Sequence, residues 1–555
     1  MRSLATVVEG SLGEVRAWWR RERSMVLLLF ALQVAAFSYL YFVPILTNHT
    51  FPHTMLQPYP SYQTRSEGRW MADWVLWAQG GSGVQSFLMM LATLVQACNG
   101  LLFADFVGEQ RRAQRFLLAA LLCLFPAFID FYSYSAGHLN LVVGNTVALL
   151  SALALVRGPL SPSRLLLATS GFVVSLASYQ PNLGLVGLLV ASVAVLRLTR
   201  TESGEAPPRP ADVFRELSSL FLVAVGSVVV YWLTMHLAIS DANPVRTRVN
   251  TLAEALQQVR GAYGQTARFF SGGLDGLSPL GHWTAIAILA LGIGLFLWDA
   301  RRRAPWLIPV VLGVVAAMPL ALRATFIINA AAWVAGRILF PAGYCLLFFL
   351  ARGLKDRLVG VAVGVAGAGL LWSFLIFDTQ QVNYAAYKSQ RDFWWIGRIA
   401  DRVEPLTSPT SGVAVALVVV GHYPELPADQ FIRRPAKDLG LNTPAFEFYR
   451  QVTILNTFLG RVAFRPPTDS ELAQAKASLA GRRPWPAPDS VYRVGQTVVV
   501  LLETPTPQTD FTWPEGHQGR SLRPWVHQRG QRSSHRAGQA RQRQSGEAAR
   551  AGTPR

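Results

Sequence analysis

The feature that most constrains the fold of this chain is a series of long apolar runs between residues 24 and 377, separated by short charged segments. A membrane-spanning helix needs about 20 predominantly apolar residues, because the hydrocarbon core of a bilayer is about 30 Å thick. Only 15% of the residues are charged, whereas an average soluble domain has about 25%. The sequence therefore predicts an integral membrane protein that remains in contact with the lipid bilayer.

The apolar runs predict about eleven membrane-spanning helices. The predicted spans are 25–46, 84–106, 116–135, 139–156, 165–178, 183–197, 217–239, 284–299, 306–322, 338–351 and 358–377. Cytoplasmic loops are enriched in Lys and Arg, and the arginine-rich segments here precede the first span and then follow alternate spans. This pattern predicts a cytoplasmic N-terminus. The first run is too long for a signal peptide, so we expect it to be retained.

Several classes of function are disfavoured by what the sequence contains. Its three cysteines lie inside apolar runs, which favours buried thiols over disulfides or metal ligands. No phosphate-binding loop, zinc motif or nucleophile elbow occurs. The net charge of +19 comes mainly from loops predicted to be cytoplasmic and from the C-terminal tail, so nucleic acid is not expected as a partner. No cofactor is predicted, and a requirement for a divalent metal is left open.

One uncharged run, residues 165–196, is too long for a single span. As one helix it would extend about 48 Å at 1.5 Å per residue, well beyond the hydrocarbon core. The segment "SYQPN" contains Pro181, which disfavours helical geometry in the preceding residue. The sequence therefore predicts a helix break at 178–182. Non-helical backbone within a membrane must be buried in protein or line a wet cavity, and we expect a cavity open to the outer side.

The composition changes after residue 377. The segments 411–421 and 490–503 are rich in valine and bounded by turn residues, which is typical of buried strands. We predict three regions: a polytopic transmembrane domain over 1–377, a small extracytoplasmic α/β or α+β domain over 378–505, and a disordered basic tail over 506–555. The tail is rich in Arg, Gln, Gly and Ser, and it has too little apolar content to fold.

Polar residues that could form a site concentrate near the predicted outer ends of the helices. These candidates are Glu67, Arg69, Asp73, Asp130, Tyr179, Gln180 and Arg337. Each also has a simpler interpretation. Glu67, Arg69 and Asp73 could form a solvated loop and a helix start, where acids are favoured. Asp130 could anchor a helix at the membrane interface, and the Tyr-Gln pair could serve only to stabilise the helix break.

Four motifs resemble those of the multi-spanning glucosyltransferases that modify bacterial O-antigen, the type II serotype-converting enzymes. These are "EGRWMADWV", "PAFIDFYSY", "SLASYQPNLGL" and, less distinctively, "AGRILFPAGY". They occur in the same order and at matching spans within residues 25–400. Members of that family often have an Asp-Asp pair early in the first outer loop, where this chain reads "YPSYQTR".

The resemblance implies a GT-C-like architecture in the bacterial inner membrane. It also implies transfer of a sugar, usually glucose, from a polyprenyl-phosphate donor to a surface glycan on the outer face. In this chemistry a carboxylate accepts the proton of the acceptor hydroxyl, and arginines hold the phosphate. Glu67 or Asp130 is then the expected base. Arg69 and Arg337 are expected to hold phosphate, with Asp73, Tyr179 and Gln180 as further substrate-binding residues.

Two other functions remain open from the sequence. A transporter or flippase of a lipid-linked saccharide would also need an apolar groove beside a cationic cavity, and it should carry polar residues through both leaflets. A noncatalytic scaffold for glycan assembly would use the C-terminal domain as its binding module. Neither the identity of the sugar and acceptor nor the oligomeric state follows from the sequence.

Overall fold

The computed structural model describes residues 4–42, 68–71, 74–75, 85–133, 135–200, 207–238, 248–273, 278–329, 336–407, 414–421 and 451–504. Two compact units divide this part of the chain. The first contains the described residues up to Asp392, and the second contains those from Phe393 onward. The first unit is helical and the second has a small β-sheet. The predicted tail from residue 506 lies outside the described residues.

The first unit is built from helices that follow one another closely along the chain. They are α1 (Leu4–Ala36), α2 (Ser38–Phe42), α3 (Gln85–Phe106), α4 (Arg112–Cys123), α5 (Ser135–Val156), α6 (Pro162–Ser178), α7 (Asn182–Thr199), α8 (Pro210–Ala238), α9 (Leu252–Arg268), α10 (Pro279–Arg303), α11 (Leu307–Leu322), α12 (Ala324–Ile328), α13 (Pro341–Lys355) and α14 (Gly360–Val403). Shorter helical turns are the 3-10 helices Pro126–Ser133 and Gly336–Leu339 and the π-helical turn Phe269–Gly273.

These helices identify the chain as a membrane protein. Each predicted span overlaps a helix or a pair of consecutive helices in the described chain. By length and composition, six of the described helices can cross a membrane, and α4 with its following 3-10 helix makes a seventh if that bent pair is one span. The count of about eleven stays a prediction, because α11 and α13 have only 16 and 15 residues.

Small residues let neighbouring helices approach closely, as is common between membrane helices. A side chain at Gly292 on α10 would place its Cβ 2.7 Å from the carbonyl oxygen of Phe349 on α13. A Cβ at Gly100 on α3 would lie 2.9 Å from the Cα of Ala119 on α4. Both contacts are with backbone atoms, so the helices would have to separate to accept a larger residue.

The helix break predicted near Pro181 is confirmed. Helix α6 ends at Ser178 and α7 begins at Asn182. The side-chain amide of Asn182 donates to the carbonyl oxygen and the hydroxyl of Ser175, both at 3.0 Å. The N–H of Asn182 donates to the carbonyl of Tyr179 at 2.9 Å. The broken backbone is thus satisfied by protein groups, as its place between two apolar helices requires.

A second bend separates α4 from the 3-10 helix Pro126–Ser133, with an angle of 50° between the two axes. Proline has no N–H to donate and its ring obstructs the preceding turn, so α4 cannot continue through Pro126. The chain tightens into the 3-10 helix, in which the N–H of Phe128 donates to the carbonyl of Phe125 at 2.8 Å. This bend places Asp130 beyond the end of α4.

Buried ion pairs join three helices at the opposite end of α4. The guanidinium of Arg115 contacts Asp105 on α3 at 2.6 Å and Glu22 on α1 at 3.0 Å. The indole N–H of Trp18 donates to the same Asp105 carboxylate at 2.9 Å. The side chains of Arg115, Glu22 and Asp105 are 6%, 2% and 7% exposed. We call these three residues the Arg115 cluster.

The segments predicted to be cytoplasmic contact one another near this cluster. Gln114 donates to the carbonyl of Leu354 at 3.1 Å, and the Lys355 ammonium donates to the carbonyl of Val107. These contacts bring the start of α4, the end of α3 and the end of α13 to one end of the helical unit. If successive spans cross the membrane in alternating directions, the end of α3, the start of α4 and the end of α13 are predicted to lie on the same side.

The helix over the last predicted span is longer than the sequence analysis indicated. Hydropathy ends the span at residue 377, but α14 continues to Val403. The predicted domain boundary after residue 377 therefore falls within a helix. No proline occurs between Gly360 and Pro405, so only the composition changes at 377 and nothing there stops a helix. The boundary between the two units falls after Asp392, within α14.

Helix α9 lies in the segment 240–283, between the predicted spans 217–239 and 284–299. Its N-terminus has a capping box: the Thr251 hydroxyl accepts from the N–H of Glu254 at 3.3 Å, and the Glu254 carboxylate accepts from the N–H of Thr251 at 2.8 Å. The Tyr263 hydroxyl donates to the carbonyl of Ala316 on α11 at 2.9 Å. The spacing of Thr and Glu in "TLAE" was a sequence signal for this helix start.

The second unit contains a four-stranded mixed sheet with the order β2-β1-β4-β3. Its elements after α14 are β1 (Val415–Val420), α15 (Gln451–Phe458), β2 (Phe464–Arg465), α16 (Asp469–Ala477), β3 (Val491–Val494) and β4 (Thr497–Leu501). Strand β1 is parallel to β2 and β4, whereas β3 and β4 are antiparallel. Parallel neighbours need a crossover connection, and α15 lies between β1 and β2 in the chain.

The strand predicted over 490–503 is wrong in one respect, because it is a hairpin of two strands. Gly495 lies between β3 and β4 with φ of +57°, in the left-handed region that favours glycine. The two strands pair across this turn, Val491 with Val500 and Val494 with Thr497. A continuous apolar run concealed the turn, and the dipeptide Gly-Gln was its only local marker.

The amides of the second unit should be less protected from hydrogen exchange at low pH. Arg465 contacts Glu471 at 2.6 Å, and this hydrogen bond, aided by those from Thr468, lowers the pKa of Glu471 from 4.5 to about 2. A carboxyl group with a lowered pKa stabilises the fold above its unfolded pKa, and this contribution is lost as the pH falls through the folded value. We therefore expect the protection factors of the α16 amides, which compare the observed exchange with the intrinsic rate at each pH, to fall as the pH is lowered from 4.5 towards 2.

Hydrogen-exchange mass spectrometry on the full chain in detergent measures this effect. The Glu471→Gln variant should exchange faster than wild type at neutral pH and show little further change over the acidic window. An identical acid response in the variant and wild type would show that other carboxylates cause it.

Candidate functional site

The four motifs that carry the family resemblance meet in the described structure. The Arg69 guanidinium carbon lies 4.9 Å from the centroid of the Tyr179 ring. The Tyr179 ring packs edge-on against Phe131 at 5.6 Å, and Phe131 packs edge-on against Phe340 at 5.7 Å. Each of these residues comes from a different motif. We call these four residues the motif cluster.

Asp130 lies directly beside the motif cluster in the chain. The 3-10 helix Pro126–Ser133 carries both Asp130 and Phe131, and Asp130 has no exposed surface. A charged carboxylate is costly to bury, so full burial of an acid beside a membrane helix is a feature typical of functional sites. Among the acids predicted for the site, Asp130 is the one whose side chain is described.

Hydroxyl groups form a hydrogen-bonded set behind the 3-10 helix. The Tyr41 and Thr93 hydroxyls lie 2.6 Å apart, and the Thr93 and Tyr132 hydroxyls lie 3.2 Å apart. The His138 ring packs edge-on against Tyr132 with centroids 4.3 Å apart. These contacts hold the turn after Asp130 against α2, α3 and α5.

The helix break supplies the aromatic surface on which Arg69 rests. Tyr179 and Gln180 are half-buried, and Tyr179 is the C-cap of α6 with an extended backbone. A guanidinium over an aromatic face is attracted by the ring electrons, and the stack fixes its plane. On the other side, the Tyr231 hydroxyl donates to the carbonyl of Gly68 at 3.2 Å. Arg69 is thereby located between the break and α8.

The side chains of three predicted site residues lie outside the described part of the structure. Glu67 and Asp73 lie outside the described residues. Arg337 belongs to the 3-10 helix Gly336–Leu339, close in sequence to Phe340, but its side chain lies outside the described part of the structure. Their roles remain predictions.

Another fully buried acid, Asp378, was not among the predicted site residues. It has no exposed surface, and neither carboxylate oxygen has a hydrogen-bond partner in the described chain. Phe374, one turn earlier on α14, packs against Phe125 with ring centroids 5.7 Å apart. A Cβ at Gly367, two turns before Phe374, would lie 3.1 Å from Leu117 of α4.

These two contacts show that α14 runs alongside α4 in the same direction. Asp378 follows Phe374 by four residues on α14, and Asp130 follows Phe125 by five residues across the 50° bend. In the sequence, Asp378 directly follows an apolar run. It was assigned to the start of the next domain.

Among the described residues, no group of three or more His, Cys, Asp or Glu side chains is arranged to hold a metal ion. Comparison of the chain with protein-family models, curated proteins and solved structures finds no match. The site is therefore interpreted from its own residues and their chemistry.

Proposed function

We propose that this protein is a membrane glycosyltransferase. It transfers a sugar, with glucose as the first candidate, from a polyprenyl-phosphate donor to a surface glycan such as O-antigen at the outer face of the bacterial inner membrane. The observation that supports this most directly is the motif cluster. Four segments far apart in the sequence, chosen for their resemblance to one enzyme family, contribute Arg69, Phe131, Tyr179 and Phe340 to a single set of contacts.

The residues around the cluster have the chemistry that transfer needs. An acceptor oxygen attacks the anomeric carbon of the sugar, its proton passes to a carboxylate, and the bond to the lipid phosphate breaks. We assign the carboxylate to Asp130, with Glu67 as the alternative from the sequence. Arg69, with Arg337 as a second cation, stabilises the leaving phosphate, for which the planar guanidinium is well suited. Asp73 and Gln180 are proposed to contact the sugar.

The proposed orientation places the motif cluster outside and the Arg115 cluster inside the cell. Support comes from the two ends of α4, since Arg115 lies near its start and Asp130 lies beyond its end. The basic segments predicted to be cytoplasmic contact one another at the Arg115 end, as the excess of Lys and Arg in cytoplasmic loops requires. The second unit is then extracytoplasmic, because α14 leaves the membrane on the side of Asp130.

Transport of a lipid-linked saccharide is the second candidate, and Asp378 favours it. An ionisable residue within a membrane span often marks a substrate or proton pathway. Polar side chains also occur farther along α3 and α5, where the Thr146 hydroxyl donates to Asn99 at 2.7 Å. A carrier needs such groups along its path, whereas a transferase needs them at one end.

The test of the proposed function measures transfer of radiolabelled glucose from polyprenyl-phosphate glucose in membranes containing the chain. Arg69→Gln should lower transfer about 10- to 100-fold, because a hydrogen bond to a charged group contributes about 1.5–3 kcal/mol. Tyr179→Phe, which keeps the ring beneath the guanidinium, should retain most of the activity, and Tyr179→Leu should not.

Arg215→Gln is the matched control, since the side chain of Arg215 is 78% exposed and pairs only with Asp212 in the described chain. It should leave transfer unchanged. No transfer by wild type from glucose or from a panel of other lipid-linked sugars would reject the transferase and favour transport. Transfer that is insensitive to Arg69→Gln would reject the site instead.

A further inference from the structure

One face of helix α10 is exposed along the span and has a tryptophan near each end. Trp283 and Trp298 are 69% and 46% exposed, and Ala287, Leu291 and Gly294 between them are exposed at the same helical spacing. The residues from 284 to 298 carry no charge. In a helix that crosses a membrane such a face is in contact with lipid, and tryptophans mark the two interfaces. Trp298 therefore lies at the interface near the C-terminal end of α10.

Two arginines lie against the ring of Trp298. The guanidinium carbons of Arg302 and Arg301 are 5.0 Å and 5.7 Å from its centroid. They follow Trp298 by four and three residues, so the three side chains share one surface of the helix. A cation this close to the face of an indole is attracted by the ring electrons. The stack thus holds two positive charges beside one lipid-facing side chain, and we call these three residues the α10 basic patch.

The nearby acids are engaged by another arginine. Asp299 is the only acid of α10, and its carboxylate accepts from Arg352 on α13 at 2.5 Å and 2.7 Å. Asp356, just after α13, also lies 3.9 Å from Arg352. Within the described chain neither Arg301 nor Arg302 forms an ion pair, and both are exposed. The α10 basic patch therefore presents two uncompensated positive charges to its surroundings.

The length of α10 places the α10 basic patch at the depth of lipid phosphates. The helix has 25 residues, or about 37 Å, whereas the hydrocarbon core is about 30 Å thick. With a tryptophan at each interface, the final turn, which carries both arginines, lies just beyond the core. The pairing of Asp299 with Arg352 joins this end of α10 to the end of α13, which also contacts α3 through Lys355. In the proposed orientation this is the inner leaflet.

We infer that the α10 basic patch binds the headgroup of an anionic phospholipid through Arg301 and Arg302, with Trp298 beside the upper part of the acyl chains. Positive charge at a membrane surface selects anionic lipids, and the N–H donors of a guanidinium match the oxygens of a phosphate. A zwitterionic lipid has the same phosphate but brings its own cation, so it gains less from the two arginines. The inference concerns lipid binding alone and does not depend on sugar transfer.

The test uses the full chain in dodecyl maltoside micelles, which contain no phospholipid. Phosphatidylglycerol and phosphatidylcholine with identical acyl chains are titrated separately, and native mass spectrometry measures the Kd of the first bound lipid. Wild type should bind phosphatidylglycerol about 10- to 30-fold more tightly than phosphatidylcholine, because both arginines act on its uncompensated charge.

Three variants decide the location of the site. The double variant Arg301→Gln/Arg302→Gln should bind phosphatidylglycerol only as tightly as phosphatidylcholine. Trp298→Leu, which stays apolar but removes the ring, should weaken phosphatidylglycerol binding about two- to fivefold, and it decides the outcome if the double variant does not insert. Arg209→Gln/Arg215→Gln is the matched control. It removes two exposed cations at the start of α8, on the same predicted side of the membrane, and it should bind like wild type.

Any of three results would overturn the inference. An equal Kd of wild type for the two lipids would mean that the exposed face makes only apolar contacts with lipid. Phosphatidylglycerol binding that is unchanged in Arg301→Gln/Arg302→Gln, or that falls equally in the control, would show a response to total charge or a site elsewhere. A wild-type dimer that excludes lipid and dissociates in Trp298→Leu would assign the face to a second copy of the chain.

Discussion

Asp130→Asn should lower sugar transfer by about 10²- to 10⁴-fold, the range that a positioned general base usually contributes. The substitution keeps the size and shape of the side chain and removes its ability to accept a proton. The site is otherwise retained, since Phe131 keeps its contacts with Tyr179 and Phe340. We therefore expect the loss in kcat, with little change in KM for the lipid-linked donor. The measurement is a steady-state transfer assay at equal expression.

Substitutions of two further acids test whether the loss of transfer is specific to Asp130. Asp378→Asn tests another fully buried carboxylate of the helical unit. Asp212→Asn tests an exposed acid whose pairing with Arg215 is on the surface. Asp212→Asn should be neutral. A collapse of transfer in Asp378→Asn but not in Asp130→Asn would move the base to α14. If neither change lowers kcat, Glu67 becomes the candidate.

Arg115→Met should destabilise the helical unit by about 3–5 kcal/mol, which is the usual cost of removing one partner from a buried ion pair. The loss leaves the carboxylates of Glu22 and Asp105 buried without their cation, and both side chains are less than a tenth exposed. Methionine retains most of the packing volume, so the expected effect is electrostatic. Unfolding of the purified chain by SDS titration in mixed micelles measures the change in free energy.

The design includes a rescue and a surface control. Adding Glu22→Gln and Asp105→Asn to Arg115→Met removes both uncompensated charges and should recover most of the lost stability. Arg215→Met breaks an exposed pair and should cost less than about 1 kcal/mol. A stability of Arg115→Met equal to that of wild type would show that the cluster has no role in holding α1, α3 and α4 together.

Hydropathy located most helices of the first unit, but not α9, and the reason is the bilayer. Every backbone polar group in a membrane must be satisfied within its own segment, so a long apolar run has almost no alternative to a helix. The same reasoning located the break at Pro181, because proline removes a donor and obstructs a turn. It failed at the end of α14, where the composition changes and the helix does not stop, and in the hairpin of β3 and β4, where the apolar pattern continues through a turn.

The candidate site was predicted only in part. Arg69, Asp130 and Tyr179 were singled out because polar residues are rare beside apolar runs, and the structure places them close to one another in space or in sequence. Asp378 carries the same signal, but its importance depends on burial without a partner in the described chain. Burial without a partner is a property of the folded chain, since it depends on which side chains from distant segments surround a group.

The sequence by itself determined that this chain lies in a membrane, where most of its helices begin and end, and that its polar residues concentrate near one set of helix ends. Those properties depend on the free energy of transferring each apolar segment from water to lipid. The residues of that segment alone determine it. Only the tertiary structure decided that four distant motifs share one cluster and that α14 runs alongside α4. Such relations depend on helix packing, in which small residues such as Gly292 set the approach of one helix to another.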